Sequence, residues 1–196
     1  MSLYNNCDDF NNVLFSLVNQ KIKEIKYFGL RLISEDDSED FSKYTTKYKD
    51  VHSFETALVL QMESGDIYEI TWDNSFYCYG IGIIKNNYKD LENYSIKKWI
   101  MTDDTFWKKY IDKKILFVSV LWDSNPKPIT IFPTGEKIIE EIMAPVTCLI
   151  YFYDLNDRII ISTSGFIGEE EDKLFRGHDN IIVTNNVETA VKINLI

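Results

Sequence analysis

Hydrophobic and polar residues alternate along much of this 196-residue chain, a pattern that is typical of β-strands. Apolar residues recur with one irregular step from Lys21 to Leu32, so this segment predicts a bent strand. Two further apolar runs, at 54–62 and 67–72, are separated by Ser64-Gly65-Asp66. A short glycine-bearing connection between two such runs predicts a β-hairpin.

Comparable patterns predict strands in the rest of the chain, at 79–84, 115–122, 129–132, 138–142, 146–153, 159–162 and 181–183. The run at 115–122 is nearly continuous in apolar residues, so we expect both of its faces to be buried. Pro126 and Pro128 follow it, and because proline has no backbone N–H we expect them to break the chain at an edge or an exposed loop. Turns at 134–135 and 154–157 predict two more hairpins.

Helical patterns are few and short. Acidic residues precede apolar residues at helical spacing near the start, which predicts a helix at 8–20. Thr102-Asp103-Asp104-Thr105 predicts the capped start of a short helix, and 187–191 predicts one helical turn before a docked C-terminus. The polar segments 34–50 and 165–177 are interpreted as surface loops.

Two stretches of the chain resemble each other, which predicts an internal duplication. Lys21-Ile22-x-x-Ile25 recurs as Lys114-Ile115-x-x-Val118, and the hairpin pattern that begins at Leu58 recurs from Leu149. We therefore expect one domain, 1–196, made of two β-rich pseudo-repeats at about 1–100 and 101–196. The predicted fold class is α+β, mainly antiparallel sheet with a few short helices.

Composition places the chain among soluble globular proteins. Its residues are 45% hydrophobic and 14% aromatic, enough to build a substantial core. No segment resembles a signal peptide or reaches the length of a membrane span, so we expect a cytoplasmic protein that does not act at a membrane. Cys7, Cys78 and Cys148 are widely separated, which favours reduced thiols over a disulfide framework or a metal site.

The net charge of −10 is shared by both halves of the chain and limits the possible partners. Phosphate backbones require clustered Lys and Arg, so a nucleic-acid partner is not expected. An acidic protein is instead steered toward a basic protein, if it has a partner at all. The alternative is that the charge only maintains solubility. The oligomeric state is left open.

Two acidic runs are the predicted partner-binding site, because crowded carboxylates repel one another and a basic surface relieves that repulsion. Aromatic residues beside the first run supply candidate anchors. The alternative interpretation of each run is a solvated loop without a partner. The candidate residues are Glu35, Asp36, Asp37, Glu39, Asp40, Phe41, Tyr44, Glu169, Glu170, Glu171 and Asp172.

The sequence carries no recognised catalytic motif, and we predict no catalytic residue, cofactor or metal, although enzymatic activity is left open. His178-Asp179 is a weak candidate for proton transfer, because adjacent residues of an extended strand point to opposite faces. Asp154-x-Asn156 resembles the start of a calcium loop, but Arg158 occupies the next ligand position. The alternative function is an enzyme or small-ligand protein with a site between the two halves, near Trp72, Tyr79, Trp122 and His178.

In overall character the chain resembles the immunity proteins of bacterial toxin systems, which are small, acidic, cytoplasmic α+β proteins. The resemblance rests on this character and on segments such as Gly65-Asp66-Ile67-Tyr68-Glu69-Ile70-Thr71-Trp72 and Trp107-Lys108-Lys109-Tyr110-Ile111. It implies a protein-binding module of the immunity or inhibitor type. The implied action is to occlude the active site of a cognate toxin, or a surface next to it, with basic nucleases as natural targets.

Overall fold

The structure is a computed structural model that describes residues 3–4, 6–33, 39–41, 44–76, 79–87, 95–131, 133–167 and 173–196. It contains mostly strands with a few short helices, as the sequence predicts. The helices are α1 (Cys7–Phe15), α2 (Val187–Lys192) and a 3-10 helix (Lys108–Tyr110). The strands are β1 (Ile22–Ile33), β2 (Glu39–Phe41), β3 (Val51–Phe54), β4 (Ala57–Met62), β5 (Ile67–Asp73), β6 (Gly80–Lys85), β7 (Ile96–Ile100), β8 (Phe117–Ile131), β9 (Glu136–Tyr151), β10 (Arg158–Ile167) and β11 (Lys173–Thr184).

The described strands form two sheets in which neighbouring strands are antiparallel. The first sheet has the order β2-β1-β4-β5-β6, with β7 also paired to β1. The second sheet has the order β3-β11-β10-β9-β8. The strand β3 joins the second sheet although its neighbours in sequence belong to the first, so the two sheets are linked through the short step from β3 to β4.

One buried cluster lies between the two sheets. Alternate residues of the first sheet, among them Ile25 and Leu58, share this cluster with Ile150 and Ile161 of the second. Side chains of successive strand residues point to opposite faces, so each sheet presents one apolar face to the other. The helix α1 adds side chains such as Phe10, which is completely buried.

The C-terminal segment covers the outer face of the second sheet. Ala190 of α2 and the following Leu195 are completely buried, and they pack with Leu149, Ile160 and Ile182 in a second apolar cluster. The predicted docking of the C-terminus is therefore confirmed.

The predicted hairpins are confirmed, and glycine explains where two of them turn. Gly65, in the turn between β4 and β5, has a φ of 92°. Gly135, in the turn between β8 and β9, has a φ of 73°. Residues with a Cβ atom rarely adopt such angles, so the sequence marks these turns clearly.

The expectation that Pro126 and Pro128 break the chain is wrong. Both residues lie within β8, where they pair with Glu141 and Ile139 of β9. An outer strand needs backbone hydrogen bonds on only one side, and β8 is one of the two outer strands of its sheet. The expected edge position is therefore found, but without the expected interruption.

The expectation that the run 115–122 is buried on both faces is also wrong. Phe117 is 50% exposed and Leu121 is 39% exposed, whereas Val118 is completely buried. The C-terminal segment packs on residues of β9, β10 and β11, and no described residue of β8 belongs to that cluster, so the second face of β8 stays open.

The helices and loops differ from the prediction in extent. The helix α1 ends at Phe15, and residues 16–19 form turns in place of the predicted last helical turn. The short helix after Asp104 is a single 3-10 turn, and the Asp104 carboxylate accepts the N–H of Phe106 just before it at 2.8 Å. The expected loops 34–50 and 165–177 contain parts of β2, β10 and β11, because pairing extends the strands into polar sequence.

Candidate functional site

Three two-stranded ribbons extend beyond the sheets, and we call their common position the ribbon end. The ribbons begin at the level where β3 ends at Phe54 and β4 begins at Ala57. Between these two strands, Thr56 N–H donates to the Phe28 carbonyl at 3.1 Å. Beyond this level β1 pairs with β2, β8 pairs with β9, and β10 pairs with β11. Gly80 of the first sheet lies close to Pro145 of the second, so the two sheets also meet there.

The two predicted acidic runs connect strands of two of these ribbons. Residues 35–37 and 169–172, that is Glu35, Asp36, Asp37, Glu169, Glu170, Glu171 and Asp172, lie outside the described residues. The flanking strands are paired as far as Ile33 with Glu39 and Ile167 with Lys173. The backbone of Glu39, Asp40 and Phe41 forms β2, so these three predicted residues lie in a strand of the ribbon end.

The third ribbon exposes apolar side chains. Ile138 is 41% exposed, Ile139 is 74% exposed and Met143 is 47% exposed. Because Ile138 and Ile139 are neighbours in β9, they point to opposite faces of the ribbon. The ribbon therefore presents apolar surface on both faces, a property that the alternating pattern of a sheet strand did not predict.

Tyr44 is the one predicted partner-binding residue whose side chain the structure describes. It is only partly exposed, and its ring packs edge-on at 5.2 Å from the His52 ring and 5.7 Å from the Trp99 ring. Ser53 N–H donates to the Tyr44 carbonyl at 2.9 Å, which holds the residue beside β3. Tyr44 is thus part of a packed aromatic group and not a free anchor on a loop.

Tyr44 also lines a cleft of about 360 Å³, which we call the His52 cleft. It opens between β3, the turn that precedes the 3-10 helix, and the end of β11. The lining residues are Tyr44, Thr45, Lys49, Asp50, His52, Asp104, Thr105, Phe106 and Asn185.

A buried chain of three polar side chains ends at this cleft. The Trp107 Nε1–H donates to the Tyr27 hydroxyl oxygen at 2.5 Å, and the same hydroxyl lies 2.9 Å from His52 Nδ1. An indole N–H can only donate, so the Tyr27 oxygen accepts from Trp107. Tyr27 is completely buried and His52 Nδ1 is the one described acceptor within reach of its hydroxyl, so its proton points to His52. The neutral His52 ring then accepts at Nδ1 and carries its proton on Nε2.

Burial shifts the ionisation of this chain toward its neutral forms. Burial raises the pKa of Tyr27 well above 10.0, and the hydrogen bond from Trp107 opposes the change. Burial also lowers the pKa of His52 from 6.5, whereas the nearby Asp104 carboxylate raises it. In both cases a charged form would lose its hydration without a full replacement.

Two carboxylates and one ammonium group give the His52 cleft its charge. The Asp104 carboxylate accepts the Phe106 N–H, and the Asp50 carboxylate accepts the Thr189 hydroxyl at 2.9 Å. Lys49 is exposed at the rim. With His52 neutral, the lining residues carry one more negative than positive charge.

The residues suggested for a site between the halves do not line the His52 cleft. Trp72 contacts Tyr79 at 5.2 Å between ring centroids, and Trp122 packs against Phe10 at 5.7 Å. His178 lies elsewhere, against Gly165.

His178 and Asp179 do contact each other, with Nδ1 and Oδ1 2.7 Å apart. The expectation that these adjacent side chains point to opposite faces is wrong, because residues 177–180 form a bulge in β11. Thr163 pairs with Ile181, and the next residue, Ser164, pairs with Arg176. Both side chains are about half exposed.

Within the described ranges, no group of three or more His, Cys, Asp or Glu residues is arranged to hold a metal ion. The helices of the same ranges also lack the length and apolar character needed to cross a membrane.

Sequence reasoning missed the residues of the buried chain. Tyr27 lies on β1 of the first sheet, His52 on β3 of the second, and Trp107 just before the 3-10 helix. Only the packing of the two sheets and this helix brings the three side chains together. One signal was present: His52 shares a strand face with Phe54, and a histidine on a buried face requires a polar partner.

Comparison of the chain with protein-family models, curated proteins and solved structures finds no match. Function is therefore inferred from the geometry of the described residues.

Proposed function

We propose that this protein is a cytoplasmic protein-binding module of the immunity or inhibitor type, which neutralises a basic protein partner through an acidic surface. The observation that carries the proposal is the common position of the three ribbons. Two of them are joined by the acidic runs 35–40 and 169–172, so carboxylates that are distant in sequence connect strands at one end of the molecule.

Binding would proceed in two stages. The acidic ribbon end attracts a basic surface over about 10 Å at moderate ionic strength, which raises the rate of encounter. The exposed apolar side chains of the β8–β9 ribbon, such as Ile139, are then buried against the partner and slow dissociation.

The experiment is affinity capture from an extract of the source cells at low ionic strength, with elution by salt and identification of the eluted proteins. The control is the chain with Glu35, Asp36, Asp37, Glu39 and Asp40 changed to lysine. A basic protein retained by the native chain and lost by the control supports the proposal. Equal retention of the same proteins by both chains contradicts it.

Support for neutralisation requires a second assay. The recovered protein is expressed with and without this chain, and we expect its toxicity or enzymatic activity to fall when the chain is present. Activity that is unchanged at saturating concentrations of the chain would contradict an inhibitor role even if binding is retained.

A second candidate function is that of an enzyme or small-ligand protein, and the His52 cleft is the observation that favours it. The cleft combines a neutral histidine with the Asp104 carboxylate, which are groups used in proton transfer. Specific binding of a metabolite that His52→Gln abolishes would favour this candidate over the first.

The two pseudo-repeats also remain a proposal. The order β1-β4-β5-β6 parallels β8-β9-β10-β11, and each is antiparallel throughout. The matched residues occupy different faces, because Leu58 points into the core between the sheets and Leu149 points to the outer face. A common origin therefore requires a slip of one residue in one of the hairpins.

A further inference from the structure

His52 is only 6% exposed, yet one of its ring nitrogen atoms has no hydrogen-bond partner among the described residues. Nδ1 is held by the Tyr27 hydroxyl, and Nε2 has no hydrogen bond to any described residue. The Tyr27 hydroxyl accepts from Trp107 and has no described acceptor other than His52 Nδ1, so Nδ1 accepts and Nε2 carries the proton of the neutral ring. His52 lines the cleft, so this N–H donor is available to an acceptor atom of a molecule bound there.

The remaining lining groups are suited to a cation. Asp50 and Asp104 use some of their acceptor capacity within the protein, as described above, and each carboxylate retains further lone pairs. The rings of Tyr44 and Phe106 add aromatic surface, on which ammonium and guanidinium groups bind favourably. The aliphatic stem of a long basic side chain also suits such a surface.

We propose that the His52 cleft binds a basic side chain, guanidinium or ammonium, next to a carbonyl oxygen. The cation lies at Asp50 and Asp104 beside the aromatic rings, and the carbonyl oxygen accepts the proton of His52 Nε2. An arginine or lysine residue of a protein has both groups. This inference rests on the proposed function, in which the partner is basic, and it assigns the cleft as one place where that partner is held.

The probe is Nα-acetyl-L-arginine methylamide, titrated into the ¹⁵N-labelled full chain and followed at the indole N–H of Trp107. A carbonyl that accepts from His52 Nε2 makes Nδ1 a stronger acceptor and strengthens the hydrogen bonds behind it. We therefore expect the Trp107 indole proton to move to higher frequency in a saturable manner. No saturable shift of this signal overturns the inference.

Two comparison compounds establish the chemistry of the ligand. The citrulline analogue has the same shape without the charge, and we expect it to bind about fivefold more weakly. Free arginine has an α-ammonium and an α-carboxylate group in place of the two amides, so it tests whether His52 Nε2 recognises a peptide-type carbonyl. Equal affinity for the citrulline analogue overturns the cation assignment, whereas tighter binding of free arginine indicates a free amino acid as the ligand and overturns the partner side chain.

Substitutions in the cleft provide matched tests. Asp104→Asn keeps the acceptor for the Phe106 N–H and removes the charge, so we expect roughly threefold to fivefold weaker binding of the arginine probe. Asp103→Asn is the control, because the adjacent Asp103 is exposed and does not line the cleft. Similar affinities for both variants contradict the inference.

Lys49→Gln tests the sign of the ligand charge. Removal of this lysine strengthens the binding of a cation and weakens the binding of an anion. Weaker binding of the arginine probe to this variant overturns the inference.

The inference and the proposed function fail in different ways. If the probe does not bind but charge reversal at residues 35–40 still abolishes capture of a basic protein, the cleft assignment is wrong and the acidic surface stands. If the probe binds as expected but both chains retain the same proteins, the cleft binds cations and the acidic surface is not the partner site.

Discussion

Tyr27 links the two other members of the buried polar chain. Its hydroxyl accepts from Trp107 Nε1–H and donates to His52 Nδ1, so one oxygen atom satisfies two buried groups. Its ring also stacks on Phe54 at 4.1 Å, in the core between the sheets. The hydroxyl fixes the direction of the hydrogen bonds, and the ring fixes the position of the hydroxyl.

The first prediction concerns Tyr27→Phe. This change leaves the Trp107 N–H and His52 Nδ1 without a partner at little change in shape, so we expect a loss of about 2–4 kcal/mol in the free energy of unfolding. Chemical denaturation measures this loss. Tyr79→Phe is the control, because Tyr79 is 42% exposed and its change should cost less than about 0.5 kcal/mol. Equal effects of the two changes would show that the buried hydrogen bonds are absent.

The second prediction concerns pH. Burial lowers the pKa of His52 below 6.5, so the folded protein binds fewer protons than the unfolded chain between the two pKa values. The stability due to neutral His52 is fully present above pH 6.5 and is lost as the pH falls toward the lower pKa of the folded state. Denaturation at a series of pH values measures this dependence.

The variant His52→Gln retains an acceptor for Tyr27 but does not titrate in this range, so its stability should decrease less between pH 6.5 and 5. His178→Gln is the control, because it removes a histidine but leaves the hydrogen bonds of Tyr27, His52 and Trp107 intact, so the dependence due to His52 is retained. The same pH dependence in the native chain and in His52→Gln would refute the assignment of a neutral buried histidine.

Little at the residue scale could be predicted from the sequence. Tyr27 and Trp107 both read as apolar core residues in the pattern, and their polar atoms are brought together by contacts between strands and turns that the sequence pattern does not specify. The acidic runs were visible because charge is a local property. Their partner-binding role remains a prediction.

At the element scale, local chemistry specifies turns better than strand ends. Gly65 and Gly135 mark two hairpins because their backbone angles suit glycine. The length of β8 could not be predicted, because a proline is compatible with an outer strand and nothing in the local sequence states which strand is outermost. The irregular part of β11 at 177–180 likewise depends on its pairing with β10.

The β8–β9 ribbon is an element that we expect to serve binding more than stability. The third prediction is that replacement of residues 126–141 by an Asn-Gly turn, which then links Asn125 to Ile142, changes the free energy of unfolding by less than about 1 kcal/mol. These two residues are paired across the ribbon, and the described side chains that are removed lie outside the buried clusters. Loss of cooperative unfolding in the shortened chain would show that the fold depends on the ribbon and would contradict the prediction.

The shortened chain should still encounter the captured partner but release it faster. The acidic runs are retained and the deleted segment, with three acidic and two basic residues, carries a net charge of only −1, so steering is nearly unchanged. Ile138 and Ile139 are removed from the contact. Association and dissociation rates measured at a sensor surface separate the two effects. An unchanged dissociation rate would exclude the ribbon from the interface.

At the scale of the whole molecule, antiparallel pairing explains why the strands that flank the two acidic runs end on the same side of the molecule. In the described part of the chain, β1, β9 and β10 all extend past their sheets at the ribbon end, while the turns at Gly65 and at 154–157 lie at the opposite end. The sequence predicted an antiparallel α+β protein with an overall acidic charge. Which hairpins lie at the same end of the molecule follows only from the order and direction of the strands.

The most direct test of the acidic binding surface is the association rate of the native chain with the captured basic protein as a function of ionic strength. We compare it with the chain in which Glu35, Asp36, Asp37, Glu39 and Asp40 are changed to lysine. A matched control carries five lysines at the opposite end, in place of Glu63, Asp112, Asp154, Asp157 and Glu188. We predict that reversal at the ribbon end slows association about tenfold at low salt, with a smaller effect in the control. Equal slowing of both variants, or of neither, would contradict an acidic binding surface at the ribbon end.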